Sequence, residues 1–352
     1  MKNLKPNILL TVAALSFTLA SCHKDKPVNP FTKPDNGIYV LNQGVQNDNN
    51  STLSFYDYTS KSTTADIFQS VNNRGLGDTG NDIEIYGSKM YIVVNVSSTL
   101  EVVNPGTAKS IKQIKFFNGT VAREPRDVVF YKGNAYVSSY DGTVAVIDTN
   151  TLTITKYITV GRNPEQLVVA NGKIYVANSG GLDYPNYDNT VSVIDATTNT
   201  VTKTLTVVIN PQNITADANG NVYVLSAGDY TTIPSSLAII DDNADVVKSQ
   251  ANFDASTFIV EGSNGYFITS EGKVGVYDTS TQTVSNANFI SDGTSITTPF
   301  AVAANASTGE VFVTDAKNYT TNGQVFAFDK TGKQEYNFTV GINPGKIAFF
   351  NN

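Results

Sequence analysis

The chain of 352 residues has one cysteine, one histidine and no tryptophan. A single thiol cannot form an internal disulfide, so stability must come from packing. The cysteine, Cys22, and the histidine, His23, lie side by side near the N-terminus. Everything downstream therefore lacks imidazole and thiol. That excludes Ser-His-Asp and Cys-His catalysis from the body of the protein, and zinc sites built on those side chains. A basic footprint is missing too. The formal charge is -7, which argues against nucleic acid as a partner. Beyond residue 21 no stretch is long and apolar enough to span a bilayer as a helix.

What the N-terminus does contain is a targeting pattern. Lys2 and Lys5 precede a short apolar run from Ile8 to Leu19, followed by Leu19-Ala20-Ser21-Cys22. Such a run is too short for a membrane helix and fits a cleaved export signal. The last four residues resemble a bacterial lipobox, which makes Cys22 the expected lipidation site. Residues 1–21 read as a lipoprotein signal peptide. Residues 22–36, polar and rich in proline, read as a lipidated tether, and 37–352 as the folded body. Cleavage would remove Lys2 and Lys5 and leave the chain still more acidic. The expected location is the outer membrane, lipid-anchored at the cell surface or on the periplasmic face.

The body repeats itself. One copy contains NGKIYVANS, a gap, then NTVSVIDATTNTVTKTLTV and NPQN; another contains KGNAYVSSY, a gap, then GTVAVIDTNTLTITKYITVG and NPEQ. An aromatic residue recurs at Tyr39, Tyr91, Tyr136, Tyr175, Tyr223, Phe267 and Phe312. The steps run from about 39 to about 52 residues, the scale of a propeller blade. Each copy gives four strand signals of period two: 166–170, 173–177, 191–195 and 201–207 in one of them. The chain enters on a second strand (36–40) and leaves on a first strand (343–350). The expected fold is an all-β, seven-bladed β-propeller of four-stranded antiparallel blades. Its ring closes when the C-terminal strand joins the N-terminal blade, which abolishes exposed edges.

The Tyr-Val-(Ala/Ser)-Asn-like second strands and the Val-Ile-Asp third strands resemble the YVTN-repeat, surface-layer type of β-propeller over about residues 37–350. Gly37-Ile-Tyr-Val-Leu-Asn-Gln-Gly44 and Leu76-Gly-Asp-Thr-Gly-Asn-Asp82, with the lipobox, resemble a lipoprotein subset of that family. Some members capture cobalamin at the cell surface and work with a TonB-dependent outer-membrane transporter. The resemblance therefore implies a corrinoid as transported ligand and such a transporter as partner, with no catalytic cofactor.

Repetition also sorts the candidates. Asp57, Asp148, Asp195, Asp241, Asp278 and Asp329 end the third strand in six copies, and Asn104 in the other. An aspartate at one structural place in six copies is a turn former. Asp78-Thr79-Gly80 matches an aspartic-protease tripeptide, but no second copy supplies the partner carboxylate. Asp217, Asn219 and Asn221 offer oxygens to calcium and also occupy an ordinary hairpin turn.

Loops between strands one and two, and three and four, are tight. The others are long and dissimilar: 42–51, 70–82, 117–126, 178–189, 226–236, 291–299 and 315–323. In a propeller these share one face, where binding is expected. Candidate ligand contacts there are Asn42, Gln43, Asn95, Arg126, Tyr140, Arg162, Glu165, Asn178, Tyr184, Tyr187, Asp229, Tyr230 and Tyr319. Tyrosine supplies flat amphipathic area, and the polar groups suit a wide ring edged with amides. No catalytic or metal-ligating residue is expected. The alternative is an interaction scaffold that docks a protein or glycan without a small ligand. An enzyme, such as a lactonase, is a third reading that the missing histidine disfavours.

Overall fold

A computed structural model describes residues 36–351. The expected signal peptide, most of the expected tether and the expected lipidation site Cys22 lie outside the described residues. Within them the chain forms seven four-stranded antiparallel sheets and one two-stranded hairpin. The architecture is the seven-bladed propeller that the repeats predict. No helix among the described residues is long and apolar enough to cross a membrane.

We number the blades from the N-terminus. In blades 2 to 7 the chain runs outward from the channel in sequence order. Their innermost strands are Gly80–Tyr86, Pro125–Tyr131, Pro164–Ala170, Pro211–Ala216, Thr257–Glu261 and Pro299–Ala304. Blade 1 is composite. Its inner strand is the C-terminal Pro344–Asn351, paired antiparallel with Asn36–Asn42, then Thr52–Asp57 and Ser62–Thr64. Val40 faces Ile347 and Tyr39 faces Ala348 in this register. The two ends of the propeller thus close the ring by backbone hydrogen bonds.

The outer strand of blade 1 has three residues. A six-residue helix, Ile67–Asn72, follows in the stretch that leads to blade 2, where the sequence had read only a loop from Ser70. Asp66 caps it by accepting the Gln69 amide, and Ile67 and Phe68 are buried. Asn72 then donates to the carbonyl of Ala108 in blade 2. The period-two reading missed this turn because six residues are too few to show a helical stripe.

The core lies between blades. One cluster joins Tyr91, Val93, Leu100 and Val102 of blade 2 to Val128, Ala135 and Val137 of blade 3. Another joins Tyr175 and Val193 of blade 4 to Val222 and Val224 of blade 5. Strands buried on both faces need apolar residues at successive positions, as in Met90-Tyr-Ile-Val-Val94, all fully buried.

The recurring tyrosine has a second task. Tyr39, Tyr136, Tyr175 and Tyr223 are fully buried, and the first three send their hydroxyls into the third-to-fourth-strand turn of the next blade. Tyr39 donates to the carbonyl of Pro105 and Tyr136 to that of Ala196 (3.1 Å) and to Asn199 Oδ1 (2.8 Å). Tyr175 donates to Asp245. Tyr223 instead gives its hydrogen to Asp217 Oδ2 of its own blade at 2.9 Å, and lies only 3.5 Å from the Thr279 carbonyl of the next. The hydroxyl of Tyr91 is shielded and meets no partner. The third-strand aspartates act as turn formers throughout. Asp148 Oδ1 accepts the amides of Asn150 and Thr151, and Asp195, Asp241 and Asp278 do the same two and three residues on.

The tyrosines make a paired test. Tyr136→Phe strands two acceptors and should lower stability by about 1 kcal/mol, the net worth of a buried hydrogen bond. Tyr91→Phe removes an unsatisfied hydroxyl and should cost nothing. Urea unfolding followed by circular dichroism reads both; equal losses would remove the inter-blade role of the hydroxyl.

Candidate functional site

Antiparallel pairing within every blade puts the long loops on one end of the channel and the tight turns on the other. The channel mouth on the loop face has a repeated frame. Each inner strand of blades 3, 4, 5 and 1 begins with proline after a residue in the left-handed region: Glu124, Asn163, Asn210 and Asn343, with φ of 55°, 44°, 61° and 54°. Their carbonyls accept the amides of Tyr140, Ser179, Ala227 and Gln43, the residues just past the second strands. Thr79 and Asn95 repeat this in blade 2.

This frame sorts the expected contacts. Asn42 and Asn178 are fully buried and spend their amides on it. Asn42 donates to Thr52 Oγ1 (3.0 Å) and Ser54 Oγ (2.9 Å), and Asn178 to Thr190 Oγ1 (3.1 Å) and Ser192 Oγ (3.0 Å). Asn95 is also buried and donates to the Pro125 carbonyl at 3.1 Å. All three stand at the mouth, but Asn42 and Asn178 fasten the second strand to the third, and Asn95 fastens blade 2 to the inner strand of blade 3. Gln43 is half-buried and packs over Gly345, where a Cβ would lie 2.7 Å from its Nε2.

Arg126, Tyr140 and Glu165 come together. Arg126 Nε lies 2.9 Å from Glu165 Oε2, and its guanidinium sits 4.6 Å from the Tyr140 ring centre. The Tyr140 hydroxyl donates to Glu165 Oε1 at 2.8 Å. On its far side Arg126 reaches Asn81 Oδ1 at 2.5 Å. Asn81, Arg126 and Glu165 each occupy the second position of an inner strand, so this belt runs across blades 2, 3 and 4. Burial, offset in part by Arg126 and reinforced by Glu165, holds the Tyr140 phenol protonated far above its ordinary range.

Arg162 instead organises a loop. It bonds Asp188 (3.0 Å), Asp183 (2.6 Å) and the Asn186 carbonyl (2.8 Å), all exposed. That loop presents Tyr184 and Tyr187 edge to face, 6.0 Å apart, and Tyr187 meets Tyr230 of the next blade at 6.2 Å. Tyr184 and Tyr230 are 69% and 65% exposed, and Leu182 joins them at 64%. Asp229 is a turn former: it accepts the amides of Thr231, Thr232 and Ile233, and the Thr232 hydroxyl and these amides hold its carboxyl well below the usual range. Tyr319 lies elsewhere on the face, against Phe300 at 6.1 Å, and is not joined to the other tyrosines.

Two clefts open here. One of about 530 Å³ lies between Tyr140, Arg162, Leu182 and Asp183. Another of about 280 Å³ lies beside Tyr230. Every arginine among the described residues is already paired with a carboxylate: Arg74 with Glu101, Arg123 with Asp141, Arg126 with Glu165, and Arg162 with Asp183 and Asp188. The face therefore offers flat aromatic area and neutral polar groups, with its arginine cations already engaged.

The sequence reading missed a charged cluster inside the channel. Asp82, Asp127 and Lys346 share the third position of inner strands in blades 2, 3 and 1. Lys346 Nζ lies 3.1 Å from Asp82 Oδ1 and 3.7 Å from Asp127 Oδ1. The other oxygens of the two carboxylates accept Val128 and Leu167 amides from the following blade, each at 3.0 Å. Superposing the strand starts (Gly80-Asn-Asp, Pro125-Arg-Asp, Pro344-Gly-Lys) would have brought these three to one level. Burial opposes the charge on Lys346, but Asp82, Asp127 and Glu84 outweigh it and raise its pKa. Burial, then Asp82, pushes Asp127 up. Glu84 lines a 390 Å³ cavity in this channel with Glu261, Ile259 and Phe349. Water reaches it there, yet the channel wall, then Asp82, push its pKa up to about 8. No group of three or more His, Cys, Asp or Glu among the described residues is arranged to hold a metal. Asp217 is filled by donors from Asn219, Asn221 and Tyr223.

With this geometry in view, the comparisons place the chain. The model of a family described as "Domain of unknown function (DUF5074)" matches residues 36–350, and the chain belongs to that family. No curated protein matches. Among solved structures, it is similar to a quinoprotein alcohol dehydrogenase-like protein from Bacteroides thetaiotaomicron, at 19% identity and a TM-score of 0.65, over 90% of this chain and 78% of that one. Hydrazine synthase from Kuenenia stuttgartiensis gives 15% identity and a TM-score of 0.56, over 68% and 73%. The computationally designed Ika8 protein gives 12% and 0.56, over 91% and 98%. At these identities the likeness is one of fold, and the fold suits a ligand-binding or interaction scaffold.

Two outcomes test the electrostatics. Between the ordinary glutamate value near 4.3 and about 8, folded Glu84 holds a proton that the unfolded chain has lost. Stability should therefore fall as pH rises through that window, and Glu84→Gln should flatten the fall. Thermal melts at pH 5 and pH 8.5 measure this; an unchanged slope rejects it. Arg126→Met leaves Glu165 shielded without its cation and should cost about 3 kcal/mol, most of it recovered in the Arg126→Met/Glu165→Met double variant. Additive losses in urea titrations would show that the pair is not coupled.

Proposed function

We propose that this protein is a lipid-anchored extracytoplasmic binding protein, with no covalent chemistry, whose loop face captures a corrinoid and hands it to a TonB-dependent outer-membrane transporter. The observation that carries the binding reading is the Tyr184–Tyr187–Tyr230 row, exposed at Tyr184 and Tyr230, with Leu182 beside two clefts, on a face whose arginines are internally neutralised. Large exposed aromatic surface of this kind marks a binding site in a soluble domain. A corrinoid is a wide ring edged with neutral amides. It needs flat contact area and hydrogen bonds without strong fixed charge, and this face has both. The corrinoid, the transporter and the anchor at Cys22 come from the resemblance of 37–44, 76–82 and the lipobox to cobalamin-capturing lipoproteins.

The apolar tips Leu182, Tyr184 and Ile233 favour a second reading, a docking surface for a protein without a small ligand. Isothermal titration separates the two. Cyanocobalamin added to a soluble form beginning at Asn29 should give a saturable heat at micromolar concentration. The Tyr184→Ala/Tyr187→Ala variant should bind about tenfold or more weakly. No heat with the unaltered protein rejects the corrinoid; capture of the transporter by ligand-free protein would then favour docking.

A further inference from the structure

The cleft beside Tyr230 carries more detail than its neighbours. It lies between blades 5 and 6, about 280 Å³ in volume, with an apolar floor of Leu225, Ala227 and Ala255. Tyr230 forms one wall with φ of 63°, a region that bulky side chains rarely adopt and that persists only when surroundings impose it. The surroundings here are explicit. Asp229 ties down the turn on one side. On the other, the Tyr230 hydroxyl accepts Asn210 Nδ2 at 3.2 Å and Gln212 Nε2 at 2.9 Å.

The amide orientations are determined. Asn210 also donates to the Gly228 carbonyl at 3.3 Å, and a carbonyl can only accept, so its nitrogen faces Gly228 and Tyr230. Its oxygen then accepts Gln212 Nε2 at 3.1 Å, which orients Gln212 in turn. Asn210 is fully buried at the start of the blade 5 inner strand, so the chain of bonds has a rigid root. A phenol oxygen has two lone pairs and one hydrogen. With both lone pairs engaged by N–H groups, the Tyr230 hydrogen must point away from them, and among the described residues nothing accepts it. Gln212 Oε1 likewise receives no donor among the described residues.

The charge of the cleft narrows the occupant. Asp254 is among its lining residues, and no lysine or arginine is. An anion would meet a carboxylate with no cation to offset it. A simple ammonium has no acceptor for the Tyr230 hydrogen. The group that matches a preset O–H donor beside a free amide oxygen is neutral, with an acceptor and a donor side by side.

We propose that this cleft receives an uncharged carboxamide, whose C=O accepts the Tyr230 hydroxyl hydrogen and whose N–H donates to Gln212 Oε1, with the apolar part of the ligand on Leu225 and Ala255. This deepens the binding reading above, since it rests on the loop face being a capture surface, and it names the group by which a ligand is recognised.

Benzamide is the probe, with benzoate as its charged isostere, in two-dimensional amide NMR titrations of the soluble protein. Benzamide should shift resonances of residues 225–235 and 254–256 at millimolar concentration, and benzoate should leave them in place. Tyr230→Phe keeps the ring and removes only the hydroxyl; it should weaken benzamide about fivefold, the worth of one net hydrogen bond. Silence at tens of millimolar benzamide, equal response to benzoate, or unchanged affinity in Tyr230→Phe overturns the proposal. Benzamide binding with no cyanocobalamin binding keeps it and rejects the corrinoid. Cyanocobalamin binding with a silent cleft does the reverse.

Discussion

The structure depends on the antiparallel pairing of Pro344–Asn351 with Asn36–Asn42. Each blade buries both faces against neighbours, so the first and last need one another. An open array would expose two apolar sheet faces and an unpaired inner edge. Closure by the C-terminal strand makes blade 1 from both ends of the described chain. Entropy of closing so long a loop rises only slowly with length, so distance in sequence is no obstacle.

Given closure, contacts between blades decide precision. Apolar packing between sheets is tolerant of small slides. Directional bonds are not. The Tyr39, Tyr136 and Tyr175 hydroxyls reach the turns of the next blade. Asp82 and Asp127 each accept a backbone amide of the following inner strand. Lys346 then joins both carboxylates from the closing strand. The tyrosine bonds tie the outer turns of adjacent blades, and the Asp82, Asp127 and Lys346 bonds tie their inner strands, so each blade is fixed to the next at two radii. A fixed mouth lets loops of unlike length present side chains in a constant geometry, which is what a capture surface requires.

Much of the frame was legible. Repeats of Tyr-Val and Val-Ile-Asp carry the strand period, and the strand-two start and strand-one finish carry the closure. Tyr184, Tyr187 and Tyr230 were legible as tyrosines in the long loops of neighbouring copies, but not that their rings touch. Asn42, Asn95 and Asn178 were placed correctly at the mouth but read as ligand contacts, whereas their amides bond within the protein. Whether an amide at a strand end faces a ligand or the neighbouring Thr52 or Thr190 hydroxyl depends on a rotamer, and no pattern encodes it. Asp82, Asp127 and Lys346 were overlooked because each alone resembles a solvated charge; only their common level in the ring makes them a cluster.

Sequence by itself determined the period, the blade number, the face that carries the long loops, and the absence of imidazole and thiol from the body. Those properties follow from alternation, turn residues and composition, which are local. Only the tertiary structure decided which charges are neutralised, which tyrosines touch, and which hydroxyl hydrogens meet no partner among the described residues. Arg126 and Glu165 stand 39 residues apart, and Asn210 and Tyr230 belong to different loops. Their pairing is a matter of a few ångströms set by ring closure and by strand register, and short-range electrostatics and hydrogen bonds respond to that distance rather than to order along the chain.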